Sequence, residues 1–391
     1  MRTIIVNPLI LIICLNALVF IRFKYEHHNI PYEIDIEKNI SNFNTINLSS
    51  IGNGIKYIPL ETNPDCYIQT IEKIELSESF IFVNEVRRLL QFTKDGKFIR
   101  QIGTQGRGPG EYKYVGDFCI DEQKGEVYII DAPQLLTYGF DGSFKSSSKL
   151  SFRPSQIIIK SRDYLFYHLW NVPDKSSLVK YSWILSDRKG LILQSIRNSI
   201  KRVNQPGIII GDTPLYSFNN TVHFMEFACD TLYYFGDNEK KPYAIFKFGS
   251  LKMEPDPLII QSQKEKISKE LFKKFWISSV YENNDFLFLK LNRGISNSAL
   301  CALYKKNNSA ITLVKDNFFF NDIDGGIPFW PKQILKDTML IDFVDAFDLK
   351  NRIKMLQSET KTNKYKKVPK TLINISKQLN ETSNPVLVLV Y

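Results

Sequence analysis

The amino-acid sequence predicts an all-β chain, a six-bladed β-propeller of four-stranded antiparallel blades with a short helical insertion near the C-terminus. Three observations lead there. Phe (28) and Tyr (19) far outnumber His (4) and Met (5) among 391 residues, a bias toward strand formers in a chain that is 43% hydrophobic and able to bury a large core. A strand–turn–strand unit recurs along the chain. The run "PVLVLVY" (Pro385 to Tyr391) then supplies one more apolar strand, suited to closing a ring.

From the N-terminus, residues 1–30 read as an export segment. Met1 and Arg2 precede "TIIVNPLILIICLNALVFI" (Thr3 to Ile21), and Arg22 and Lys24 follow, which is a charged n-region and an h-region. A run of that length also just spans a bilayer. Leu11 suits a lipid-attachment site at Cys14, whereas Ile13 is larger than the small residue such a site takes. The expectation is a signal peptide or signal-anchor, with a lipid at Cys14 as the lesser alternative. The protein is then exported to the periplasm or cell surface and meets the membrane through this segment. Cys66, Cys119, Cys229 and Cys301 show no CxxC spacing and read as buried free thiols.

Residues 31–391 read as the propeller. "IFVNEVRRLLQFTKDGKF" (Ile81 to Phe98) and "VYIIDAPQLLTYGFDGSF" (Val127 to Phe144) are one unit, offset by 46 residues. Leu89 falls on Leu135, Leu90 on Leu136, Phe92 on Tyr138 and Asp95-Gly96 on Asp141-Gly142. Asp-Gly accepts the positive φ angles of a tight hairpin turn, so each unit is a strand, a linker, a second strand and a third leaving the turn. Weaker copies occupy Tyr181 to Leu193, Val222 to Phe248 and Phe286 to Val314. A first unit is expected within Ile55 to Phe82, and a last one in Thr338 to Asp348 plus the terminal strand. That strand would pair near residues 55–61, leaving no edge open. Helical spacing of apolar residues between Leu335 and Met355 marks the insertion. The net charge of +10 favours acidic partners, but much of it lies in one run, Asn351 to Lys370, that reads as a solvated helix face or tail. With no basic helix-turn-helix and no RNP-like aromatic pair, nucleic acid is not an expected partner.

Taken in order, "YIPLET" (Tyr57 to Thr62), "DGKFIRQIGTQGRGPGEY" (Asp95 to Tyr112), "CDTLYYF" (Cys229 to Phe235), "NDIDGGIPFWP" (Asn321 to Pro331) and "NPVLVLVY" (Asn384 to Tyr391) resemble the bacterial exported 6-bladed β-propeller proteins, NHL-like and often lipid-anchored. The resemblance covers nearly the whole chain beyond the export segment. It implies a propeller and export, and brings no established activity with it. The chain departs from the anchored members at Ile13, where their lipid-attachment pattern has a small residue.

Gly103, Gly106, Gly108 and Gly110 superficially suggest a phosphate loop. Such a loop needs a helix N-terminus directly after it, and "EYKYVGDFCIDEQKGEVYII" has no helical period and no GK[ST]. The glycines therefore read as the link between two blades, leaving Arg107 and Glu111 as ligand-binding candidates at the propeller's mouth. In "NDIDGGIPFWP", Asp324 could ligate a cation or hydrogen-bond a sugar, and Trp330 could stack on a ring. The alternative is a stiff Asx turn followed by an aromatic plug. His168 and His223 have no partner at ligand spacing, the EF-hand pattern is missing, and there is no GxSxG. No metal, cofactor or catalytic residue is expected. The ligand-binding candidates are Arg107, Glu111, Asp117, Asp324 and Trp330. The function expected is an exported, non-enzymatic binding or docking module of the bacterial cell envelope, monomeric, with a protein, peptide or glycan as ligand. The rival is a carbohydrate-active hydrolase or lyase whose carboxylates (Asp117, Asp121, Asp131, Asp324, Glu111) converge on the channel.

Overall fold

The computed structural model of the chain describes residues 30–85, 87–161, 164–169, 181–197, 213–226, 228–236, 239–253, 272–294, 298–361 and 368–391. The export segment expected in residues 1–30 lies outside the described residues, apart from Ile30. No helix among the described residues is long and apolar enough to cross a membrane.

Five blades are each built from four consecutive antiparallel strands. Blade 1 comprises Lys73–Leu76, Phe80–Asn84, Leu89–Thr93 and Phe98–Ile102. Blade 2 comprises Asp117–Asp121, Glu126–Asp131, Gln134–Gly139 and Phe144–Lys149. Blade 3 follows with Pro154–Ser161, Tyr164–Leu169, Tyr181–Asp187 and Ile192–Arg197. Blade 4 has Leu215–Phe218, Thr221–Phe224, Thr231–Gly236 and Glu239–Lys247; blade 5 has Phe275–Glu282, Phe286–Arg293, Ala299–Lys305 and Ala310–Val314. The closing sheet differs in origin. It orders Gln333–Leu335, Met339–Val344, Val386–Val390 and Ile55–Pro59, pooling distant parts of the chain.

The middle strands are sandwiched between neighbouring blades, which is why they read as unbroken apolar runs. Val127, Ile129 and Leu136 of blade 2 pack on Phe82, Leu89 and Ile102 of blade 1. Similar layers join each blade to the next, and Ile341 and Leu387 of the closing sheet meet Ile74, Ile81 and Leu90 of blade 1 to complete the ring.

The expected all-β ring of six four-stranded antiparallel blades is corrected by these sheets. The chain is mostly β, with five blades of consecutive strands and a pooled closing sheet. Blades 4 and 5 each carry a fifth strand, and it is parallel: Tyr32–Asp35 runs along Glu239–Lys247, and Phe43–Asn44 along Ala310–Val314. These N-terminal strands cover edges that would otherwise present unpaired amides and carbonyls. The described residues also form three α-helices: α1 (Ile36–Asn39), α2 (Ala346–Lys361) and α3 (Lys370–Gln378). Asp35 caps α1 by accepting a 3.0 Å hydrogen bond from the Lys38 amide. Leu349, Ile353 and Leu356 of α2 and Leu372 of α3 bury against Leu340, Val386 and Val388.

Two boundaries also move. No blade unit occupies Ile55 to Phe82, because Ile55–Pro59 joins the closing sheet and blade 1 starts at Lys73. The helix expected from Leu335 starts at Ala346, since Met339–Val344 pairs as a strand with Val386–Val390. Cys66, Cys119 and Cys301 are buried free thiols and Cys229 is half-buried and free.

Candidate functional site

In a four-stranded antiparallel blade, the corner between the second and third strands lies at the same end as the link to the next blade. The blades' own contacts show this pairing of corner and link. Arg88, in the corner of blade 1, donates to the carbonyls of Asp65 (3.0 Å) and Tyr67 (2.5 Å) on the link that enters the blade. Asn84 donates to the Val115 carbonyl of the following link at 3.2 Å, and Asp131 in the blade 2 corner accepts from the Lys113 amide at 2.9 Å. At the closing sheet the corner is the helical insertion, and Arg352 of α2 donates to the carbonyls of Gly325 and Gly326 at 3.2 Å each. This link end carries all five candidate residues.

The glycine run is the link from blade 1 to blade 2. Thr104–Gln105 and Glu111–Tyr112 pair there as a short parallel ribbon, and the loop between them folds over the Glu111 carboxylate. Oε2 of Glu111 accepts from the Gly108 amide at 2.7 Å, and a Cβ at Gly106 would fall on the same carboxylate. Gly103 (φ 67°) lies against the Tyr112 and Tyr138 rings, where no side chain fits. The anion that this glycine loop holds is therefore one of its own side chains. Arg107 stands exposed at the loop's tip.

Asp117 opens the inner strand of blade 2 and ties three inner strands together. Its Oδ1 accepts from the Lys73 ammonium of blade 1 at 3.0 Å and from the Phe118 amide at 2.8 Å. Its Oδ2 accepts from the Ile157 amide of blade 3 at 2.8 Å. Lys73 also donates to the Phe118 carbonyl at 2.7 Å and lies 3.3 Å from Glu75. Burial by itself would lower the Lys73 pKa, but Asp117 and Glu75 overcome it and hold the ammonium well above the usual lysine range. Burial pushes the Glu75 carboxyl up, and Lys73 only partly offsets that.

Asp324 sits in the link to the closing sheet. Its Oδ1 accepts from the Asn321 amide group (2.8 Å), the Gly326 backbone (2.9 Å) and the Tyr57 hydroxyl (3.2 Å). Burial foremost, together with Asp324, drives the Tyr57 hydroxyl far above its usual pKa. Trp330 is half-buried, with its ring 5.2 Å from Phe319 and 6.1 Å from Phe288, and its Nε1 is enclosed without a hydrogen-bond partner.

The candidates thus fall into three groups, Arg107 with Glu111, Asp117 with Lys73, and Asp324 with Trp330. Among the described residues no hydrogen bond or ion pair joins one group to another. The other carboxylates expected to converge on the channel are tied as well. Asp121 binds Arg188 at 3.0 Å, and Asp131 holds the Lys113 amide. Among the described residues no group of three His, Cys, Asp or Glu could hold a metal ion.

Sequence reasoning missed the most deeply buried charges. Between blades 4 and 5, Lys306 lies 2.6 Å from Glu282, with side chains 2% and 0% exposed. Tyr216 (2.7 Å) and Tyr243 donate to the Glu282 carboxylate, and Lys306 donates to the Asn283 carbonyl at 2.6 Å. His223 stacks on Tyr216 with ring centroids 5.1 Å apart. No local pattern marks this cluster, because its members come from five strands or turns.

Five of the eight exposed Phe and Tyr side chains of the described residues lie at the link end. Tyr67, Tyr114, Phe272 and Phe320 lie on links, and Phe347 lies on α2. The turns at the other end are dominated by Ser, Asn, Asp, Gly and Lys, as in Asn219-Asn220 and Lys306 to Ser309, although Leu191 in one such turn and Phe144 and Tyr391 beside two others are exposed.

No curated protein sequence matches the chain. Among solved structures, a "Putative exported protein" from Bacteroides fragilis NCTC 9343 aligns with 92% of this chain and 99% of its own at a TM-score of 0.68 and 19% identity, which establishes a shared fold. A member of the duf4221 family from Bacteroides vulgatus ATCC 8482 is more distant, at 10% identity and a TM-score of 0.44 over 67% of this chain and 84% of its own. The family described as "Domain of unknown function (DUF4934)" matches residues 31–391, and the chain belongs to that family.

Proposed function

We propose that the protein is an exported, non-enzymatic binding module of the bacterial cell envelope, monomeric, with the link end of the ring as its binding face. One observation carries this reading: five of the eight exposed Phe and Tyr side chains of the described residues lie on the links and on α2, while the opposite turns are mainly polar, with Leu191, Phe144 and Tyr391 exposed at that end. Loops on a rigid scaffold are where binding residues collect, and exposed aromatic rings add nothing to the core beneath them. Export is supported by the charged and apolar pattern of residues 1–30 and by the description of the Bacteroides fragilis protein as exported. Of the five candidates, Arg107 is the one fully at the surface, and Trp330 offers part of its ring. Glu111, Asp117 and Asp324 shape the face, since their oxygens already serve the backbone and neighbouring side chains. The same engagement counts against carboxylate catalysis.

A thermal-shift screen against peptides, glycans and divalent cations tests the proposal. A ligand at a hundredfold excess over Kd stabilises the fold by ~2.7 kcal/mol. The shift should vanish in Tyr67→Ala or Tyr114→Ala and persist in Leu191→Ser. A shift abolished by Leu191→Ser and untouched by the link-end substitutions would refute the assignment of the face.

A further inference from the structure

The sequence contains a single Asn-Gly pair, Asn53-Gly54, and the fold places it at the seam where the ring closes. We infer that this pair is a site of spontaneous deamidation that the closed ring shields and an opened ring exposes, so that conversion of Asn53 permanently marks chains whose seam has come apart. The chemistry needs no co-reactant beyond water. The Gly54 nitrogen gives up its proton and attacks Cγ of Asn53; the Cγ–Nδ2 bond breaks and ammonia leaves with that proton. Water then opens the five-membered succinimide at one of its two carbonyls. Breaking the bond from nitrogen to Cγ gives aspartate, and breaking the bond to the main-chain carbonyl carbon gives isoaspartate. Glycine suits the second position because it has no Cβ to crowd the approach of its nitrogen to the asparagine side chain.

The Asn53 side chain is exposed and makes no hydrogen bond with a described residue, so its amide group is free to turn toward the backbone. The attacking nitrogen is held. The Asn53 and Gly54 amides donate to one acceptor, the Tyr391 carbonyl, at 2.7 and 2.9 Å, and the Tyr391 amide donates back to the Gly54 carbonyl at 3.1 Å. The proton that must leave is therefore engaged, and Gly54 is pinned at both its nitrogen and its oxygen. The Tyr391 ring lies over Gly54, where a Cβ would fall 2.5 Å from Cε2, and Cγ1 of Val390 approaches Gly52 as closely. These contacts belong to the register in which Val390 faces Ile55. All of this restraint comes from Val390 and Tyr391, and it goes when they lift away. Isoaspartate makes the event one-way. It carries the main chain through the β-carbon of residue 53, which adds an atom between the two amides that share the Tyr391 oxygen. The isoaspartyl chain cannot rebuild that paired contact.

Mass spectrometry of the peptide that holds Asn53, with isoaspartate detected by enzymatic methylation, tests this on the full chain kept at mildly alkaline pH. Asn53 should remain an amide in the folded protein and convert in urea, and Asn53→Gln should abolish the mass gain at this site. Deleting Tyr391 removes both acceptor contacts and should speed conversion in the folded protein about tenfold, the effect of two hydrogen bonds lost together. Tyr391→Ala keeps the carbonyl and loses only the ring, so it should convert more slowly than the deletion. If the shortened chain does not fold, the full chain carries the test: conversion at Asn53 must rise with urea in step with hydrogen exchange at the Gly54 amide. Conversion in the folded protein as fast as in urea, no acceleration in a folded chain without Tyr391, or a urea dependence unlike that of Gly54 exchange would each overturn the inference.

Discussion

The repeated Asp-Gly turn offers a test in which one chain supplies its own control. Gly96 in blade 1 and Gly142 in blade 2 hold the same place in their hairpins, with φ of 84° and 82°. Alanine at either position meets the same local penalty, about 1–2 kcal/mol for an L-residue in the left-handed region. Their surroundings differ. A Cβ at Gly142 would lie 3.1 Å from Cδ of Arg100, a flexible side chain able to withdraw. A Cβ at Gly96 would fall on the Pro59 carbonyl oxygen, where the closing sheet abuts blade 1. Relief there requires the backbone to part, which endangers the 2.8 Å hydrogen bond from the Glu61 amide to the Gly96 carbonyl. That bond is worth about 1 kcal/mol, and the repacking costs about another 1–3 kcal/mol. Gly96→Ala should therefore lose roughly 4 kcal/mol, against about 1–2 kcal/mol for Gly142→Ala. Urea unfolding followed by tryptophan fluorescence measures both. Equal losses would refute the claim that the blade 1 turn supports ring closure through this contact.

Other substitutions probe the buried charges and the links. Burial already pushes the Glu282 carboxyl up, so Lys306→Met, which leaves it buried without its cation, should cost about 3–5 kcal/mol, whereas Glu282→Leu/Lys306→Met should lose markedly less in the same urea titration. Burial lowers the pKa of His223 from 6.5 to about 3, with Lys306 adding to the effect. Below pH 6.5 the unfolded chain therefore takes up a proton that the folded chain refuses, and stability falls as pH drops toward 3. The slope reaches about 1.4 kcal/mol per pH unit, and His223→Gln should flatten it in urea titrations between pH 6.5 and 4. Asp324→Ala strips the acceptor from Tyr57, Asn321 and Gly326 and should cost about 2–3 kcal/mol by thermal or urea unfolding, with Asp324→Asn costing less.

Much of the fold is legible where its cause is local. The alignment of Leu89-Leu90 with Leu135-Leu136 and of the two Asp-Gly turns puts equivalent residues on equivalent strands, because period, apolar run and turn chemistry all sit within a few residues. Tyr32–Asp35 and Phe43–Asn44 are invisible by the same logic. Each is a short parallel strand with no turn leading to its partner, and the partners lie more than 200 residues away. Ile55–Pro59 reads plainly as a strand, but its pattern does not say which sheet it joins. At the links, the glycines are legible as a chain crossing, whereas the capture of Glu111 depends on how that crossing folds. Asp117 reads as one more channel carboxylate; its role as a clasp exists only when blades 1, 2 and 3 stand side by side.

The strands Tyr32–Asp35, Phe43–Asn44 and Ile55–Pro59 have a consequence for the order of events in the cell. They leave the ribosome before any blade, yet they pair with Glu239–Lys247, Ala310–Val314 and Val386–Val390, which are made much later. Each blade can form as its own hairpins emerge, while the fasteners wait, unpaired, for their seats. The ring therefore locks only after synthesis has passed Val390.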